Sequence, residues 1–100
     1  MPSIQFSLPH TLEPEDVVAR LQGFLAKLRE RNDPKFLVKS EDWNGNTLKC
    51  SFTSYGFAME ADMQVEPKEL KFHVNIPFAA MLFKGQIDER LRYELTRLLT

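Results

Sequence analysis

The stretch TLKCSFTSYGFAMEADMQV, residues 47–65, decides the fold of this chain. Leu48, Cys50 and Phe52 alternate with Lys49, Ser51 and Thr53. After a turn at Gly56, the residues Phe57, Met59, Ala61, Met63 and Val65 alternate with Ala58, Glu60, Asp62 and Gln64. Successive side chains of a strand point to opposite faces, so this period of two predicts a pair of half-buried strands. An apolar side and a polar side on each strand mark an antiparallel sheet covered on one face only.

The same pattern extends in both directions. Upstream, KFLVKSEDW carries Phe36 and Val38 inward, and NGN at 44–46 predicts a hairpin turn because Asn and Gly tolerate positive φ. Downstream, EPKE turns the chain and LKFHVNI sends Leu70, Phe72, Val74 and Ile76 inward. At the start, SIQFSLP places Ile4, Phe6 and Leu8 opposite Ser3, Gln5 and Ser7, and Pro9 ends it. Between the first and second strands, TLEPEDVVARLQGFLAKLRERND switches to helical spacing, with Val17, Leu21, Phe24, Leu25 and Leu28 as one stripe. Pro14 suits a first helical turn. Glu13, Glu15 and Asp16 complement the positive end of the helix dipole, and Lys27, Arg29 and Arg31 the negative end. Asn32-Asp33-Pro34 stops this helix. A second helix is expected to open at Pro77 and run to about Leu99. The order is β-α-β-β-β-β-α: an α+β single domain over residues 1–100, a five-stranded antiparallel sheet with both helices on its one covered face.

Laid out at 100° per residue, Ala80, Phe83, Ile87, Leu91, Leu95 and Leu98 form the sheet-facing stripe of the last helix, with Met81 and Leu99 at its margin. Phe78 and Leu82 fall opposite that stripe, four residues apart. Either helix 1, the preceding loop or a frayed first turn covers them, or they are an exposed apolar patch for a partner or a hydrophobic surface. Gly85 suggests close packing or a kink just after them.

The 100 residues are 43% apolar and 27% charged, with a net charge of −1. No basic field favours nucleic acid. One cysteine excludes an intramolecular disulfide and a Cys-rich zinc site, and no apolar run is long enough to span a bilayer. The N-terminus lacks a signal-peptide pattern, so a cytoplasmic location is expected. His10 and His73 have no partner at metal-ligand spacing and read as structural or solvated, so neither a metal nor another cofactor is expected. Cys50 reads as a small buried hydrophobe. Glu60 and Asp62 share one strand face, with Lys71 and His73 able to lie opposite as cross-strand charge pairs on a wet surface that predicts no pocket. Trp43 is read as closing one end of the core.

Pro9-His10, the Trp-x-Gly-x-x-Leu spacing from Trp43 to Leu48, and the Phe-Lys-Gly-x-Ile run from Phe83 to Ile87 resemble the polyhydroxyalkanoic acid system family of small bacterial proteins. The likeness extends over PHTL at 9–12, WNGNTLKCSF at 43–52 and residues 70–99. It implies a link with storage-polyester granules and carries over no catalytic residue. The element order also resembles a shortened helix-grip, START-like fold, which implies the strand order 2-3-4-5-1. The leading expectation is a non-enzymatic protein that meets a polyester granule or a granule protein through Phe78, Met81 and Leu82, with Lys84 at the rim. The second is a binder of a hydrophobic small molecule, an acyl or lipid-like ligand lined by Phe52, Met59, Met63, Phe72 and Phe83. The inward Phe6, Phe24, Phe36, Phe52, Phe72 and Phe83 would fill much of that space. A hydrolase or isomerase using His10 or His73 comes third. Homodimerisation through a sheet edge, the polar sheet face or the last helix is compatible with the pattern.

Overall fold

Alternation builds the sheet. The computed structural model describes residues 2–32 and 35–100. Its strands are β1 (Ser3–Pro9), β2 (Leu37–Asn44), β3 (Thr47–Ser54), β4 (Phe57–Val65) and β5 (Glu69–Asn75). They form one antiparallel sheet in the order β1-β5-β4-β3-β2, as expected. Gly45 takes φ 62° at the first position of the two-residue β2–β3 loop, the glycine-first pattern of a type II′ turn. The β3–β4 loop is Tyr55-Gly56, with φ of 53° and 85°, the type I′ pattern. The β4–β5 turn closes with the Glu66 N–H donating to the Glu69 carbonyl at 2.8 Å.

The inward rows are buried as the pattern requires, from Leu48, Cys50 and Phe52 through Met59, Ala61, Met63 and Val65 to Leu70, Phe72, Val74 and Ile76. Phe6 and Phe72 stand directly opposite on β1 and β5, and their rings stack at 4.8 Å. Of the six inward phenylalanines, Phe6, Phe36, Phe52 and Phe72 are buried, whereas Phe24 and Phe83 are only half-buried.

β2 departs from simple alternation. Its register shifts between Val38 and Ser40, a bulge that brings Glu41 opposite Cys50 and Trp43 opposite Leu48. Both side chains thereby join the covered face. The Trp43 indole N–H donates to Glu41 Oε2 at 2.7 Å, and Arg29 reaches Glu41 Oε1 at 2.9 Å. This short chain of partners ties β2 to the first helix, with Trp43 half-buried at the rim of the core. The bulge on β2, and Pro2 before and Pro9 at the end of β1, blunt the two edges against strand-to-strand pairing.

Helix α1 (Pro14–Arg31) packs over β2 and β4 and buries Val17, Leu21, Leu25 and Leu28. Pro14 sits in its first turn, and Asn32 ends it in the left-handed conformation, donating its N–H to the Leu28 carbonyl at 3.3 Å. The remainder of the expected stop signal, Asp33 and Pro34, lies outside the described residues. The final helix differs from expectation. A 3-10 segment, Phe78–Phe83, comes first, and helix α2 spans Lys84–Leu98. α2 packs over β1 with Ile87, Leu91 and Leu95 buried. Leu99, expected at the margin, is buried, and Leu98 is half-buried. The Arg92 guanidinium lies 4.5 Å from the centre of the Phe6 ring, on the flank of the helix next to β1.

Two buried polar groups sit on β3. Ser54 is fully buried, and its hydroxyl has no hydrogen-bond partner among the described residues. Ser54→Ala removes an unpaired polar atom and should raise unfolding stability by about 1 kcal/mol in urea titration. Burial, then the charges of Glu41 and Asp62, push the Cys50 thiol from 9.0 up to about 11. Folding therefore favours the protonated thiol. Its contribution to stability is complete below about pH 9 and is lost as the pH rises through about 11. Iodoacetamide at pH 8 should label the urea-unfolded chain and spare the native one, and native labelling should rise only as the pH approaches 11.

Candidate functional site

Pro77, at φ −65° and ψ 150°, delivers the chain extended into the 3-10 segment, whose first bond runs from the Ala80 N–H to the Pro77 carbonyl at 2.9 Å. In this geometry residues three apart eclipse one another. The six residues therefore form three rows: Phe78 with Met81, Ala79 with Leu82, and Ala80 with Phe83. Only the third row faces the protein. Ala80 is fully buried and Phe83 half-buried, while Phe78 is 76% exposed, Met81 41% and Leu82 90%. At α spacing Phe78 would neighbour Leu82. At 3-10 spacing its nearest row-mate is Met81, and the two outward rows together make the apolar surface. Neither α1 nor the preceding loop covers them.

The inward row is pinned by aromatic packing. Phe83 stacks on Tyr55 at 5.4 Å with the rings 7° from parallel, and tilts against Phe57 at 6.0 Å. Tyr55 holds a left-handed backbone, an uncommon conformation for a bulky residue and one that costs on the order of 1 kcal/mol. The surrounding type I′ turn enforces it and presents the ring to Phe83. Sequence reasoning assigned Tyr55 no role. The adjoining Gly56 marked the turn, but nothing local pointed to a partner 28 residues away. Lys84 follows as the first residue of α2 and is half-buried. A Cβ at Gly85 would meet nothing within 4 Å, so close packing is not the reason for that glycine. The change of helix type falls just before it, at Phe83 with φ −102° and ψ 1°.

Between the helices and the sheet lies a cavity of about 40 Å³. Phe52, Met63 and Phe72 line it, together with Phe24, Leu28 and Phe36. Met59 and Phe83, also expected there, do not. Ligand sites for drug-sized molecules run to roughly 300 Å³ or more, so this space has no room for a long acyl chain. The outer sheet face, expected to carry cross-strand charge pairs and no pocket, has a broad open trough of about 580 Å³ whose lining includes Lys49, Asp62, Lys71 and His73.

The histidines take different places. His10 is buried where β1 leaves the sheet. Its Nε2–H donates to the Glu66 carbonyl at 2.9 Å, its Nδ1 accepts from the Leu12 N–H at 3.2 Å, and its own backbone N–H donates to the Lys68 carbonyl at 2.9 Å. Both ring nitrogens are engaged with main chain, so the ring clamps the first strand to the β4–β5 turn and has no lone pair left for a substrate. His73 stands on the outer face opposite Asp62, with Nδ1 3.9 Å from its carboxylate, and Asn75 rather than Lys71 opposes Glu60. Lys71 opposes Gln64 and lies 3.8 Å from both Glu66 and Glu69. Cys50 is buried with its thiol protonated, far from the character of a nucleophile. Among the described residues, no three His, Cys, Asp or Glu side chains gather to hold a metal. Among the described residues, no helix is long and apolar enough to cross a membrane.

The residues that carried the family likeness have physical roles in this geometry. His10 clamps β1, Trp43 to Leu48 form the β2–β3 hairpin, and Phe83 to Ile87 join the 3-10 segment to α2. No curated protein and no solved structure matches the chain. Residues 4–99 match the family described as "Putative polyhydroxyalkanoic acid system protein", and the chain belongs to that family.

Proposed function

We propose that this chain is a non-catalytic component of a polyhydroxyalkanoate system and adheres to the hydrophobic surface of the storage polyester, or of a protein coating it, through the 3-10 segment. The exposure of Phe78 and Leu82 on a turn whose inward row is fixed carries this reading. A rigid scaffold presents these side chains to water at no benefit to the fold, so a second surface is their natural counterpart. Covering each would contribute about 1.5–3 kcal/mol before the costs of association. That suits weak, reversible contact by many copies on one large surface. With a net charge of −1 the attraction owes little to electrostatics. Lys84 at the edge of the patch keeps its ammonium in water while its stem extends the apolar area. A cytoplasmic location belongs to the same reading.

The test is co-sedimentation with artificial polyester particles, comparing wild type with Phe78→Glu/Leu82→Glu. Both side chains are exposed, so the double variant should keep its circular dichroism spectrum and unfolding midpoint. Binding should fall at least about tenfold, the equivalent of about 1.4 kcal/mol. Equal sedimentation of the folded variant and wild type would refute adhesion through this segment.

A further inference from the structure

A second site lies between the helices. We propose that the groove between α1 and α2, with the small cavity at its floor, binds a short acyl chain carrying an anionic head.

The two helices run antiparallel. Arg20, in the first half of α1, donates to the carbonyls of Leu98 and Thr100 at 2.9 and 3.0 Å, while Arg31, at the end of α1, lines the same cavity as Arg90. Steps of four and three residues put Arg20, Phe24, Lys27 and Arg31 along one flank of α1, and Arg90, Glu94 and Arg97 along the facing flank of α2. The groove between these flanks is an open trough of about 430 Å³, and among the described residues Arg20, Lys27, Arg31 and Arg97 line it with Glu94 as the single carboxylate. Some of these charges are already engaged. Arg20 holds the end of α2, Arg90 pairs with Glu94 at 3.0 Å, and Arg97 rests on Tyr93 with its guanidinium 5.6 Å from the ring centre. Lys27 and Arg31 have no ion pair among the described residues. Like charges four apart on a helix repel, while the dipole at the end of α1 favours them, and neither effect occupies their hydrogen-bond donors.

The floor supplies the second half of the argument. The cavity and the groove share Phe24, Arg31 and Glu94, so the cationic groove adjoins a slot walled by Leu25, Leu28, Phe36 and Phe52. Its 40 Å³ holds about three water-sized groups, which fits an alkyl tail of about three or four carbons. A tail there would leave its head beside Arg31 and Lys27, where a carboxylate or phosphate gains charge-assisted hydrogen bonds. Glu94 at the mouth can accept a hydrogen bond from a hydroxyl on the chain. Hydroxyalkanoic acids, the units named in the family's description, have this chemistry. None of Phe78, Met81 and Leu82 lines the site, so it stands or falls apart from granule adhesion.

The experiment is an amide NMR titration of the full chain at fixed ionic strength with sodium acetate, butyrate, 3-hydroxybutyrate and octanoate, and with coenzyme A and butyryl-coenzyme A. Butyrate and 3-hydroxybutyrate should give saturable shifts at Leu25, Leu28 and Arg31. Acetate should bind more weakly, and octanoate no more tightly than butyrate because the slot is full. Lys27→Gln/Arg31→Gln, both changes at exposed positions, should weaken binding about tenfold. Butyryl-coenzyme A binding more tightly than butyrate would identify a phosphate-bearing head, and the reverse a free carboxylate. The proposal is overturned if no acyl compound gives saturable shifts into the tens of millimolar. It is overturned equally if coenzyme A matches its butyryl thioester, or if the double variant binds as wild type does.

Discussion

Five strands, each apolar on one side only, leave a single continuous surface that has to be taken out of water, and everything else in this structure answers that demand. α1 covers the part over β2 and β4, and α2 the part over β1. The α-helical stretch of α2 starts at Lys84, and the segment before it reaches the end of the sheet marked by the Tyr55-Gly56 turn. That segment needs only a narrow inward contact, and a 3-10 coil provides one row in three. An α-turn over the same residues would offer a broader inward face and has less reason to form where only Tyr55 and Phe57 await it.

Charge is gathered in one place without being unbalanced overall. The net charge is −1, yet the facing flanks of the two helices gather arginine and lysine, while Glu60, Asp62, Glu66 and Glu69 on β4, β5 and the turn between them are interspersed with Lys68, Lys71 and His73. A total near zero conceals this arrangement, because it depends on which residues the topology brings side by side. The half-buried Glu41 shows the complementary case, an acidic side chain drawn toward the core by a bulge and accommodated by Arg29 and Trp43.

What was legible in the sequence follows from the length over which each pattern repeats. Alternation over seven to nine residues between turn signals marks the strands and their inward rows, while their order in the sheet follows from the likeness to a helix-grip fold. The β2 bulge leaves no trace, because KSED, residues 39–42, is polar throughout. In the sequence the 3-10 segment reads as α-helix because the two periods differ by only 20° per residue, too little to separate over six residues. The exposure of Phe78 and Leu82 could be posed as a question, since both periods turn them from the sheet. It could not be answered without knowing what else lay nearby. His10 was legible as structural, but its partner at Glu66 is 56 residues away. The cationic groove was invisible for a related reason. Each helix shows its own stripe, but neither encodes how far it is rotated relative to the other.

The three rows of the 3-10 segment divide its positions between two kinds of selection. Ala80 has no space to grow, and Phe83 must remain a flat ring to meet Tyr55, so the fold constrains every third residue. At positions 78, 79, 81 and 82 folding is nearly indifferent, and drift toward polar residues would cost the fold almost nothing. A lineage that keeps large apolar side chains there is being held to them by something outside the molecule. One that loses them while keeping 80 and 83 has retained the scaffold and given up the contact.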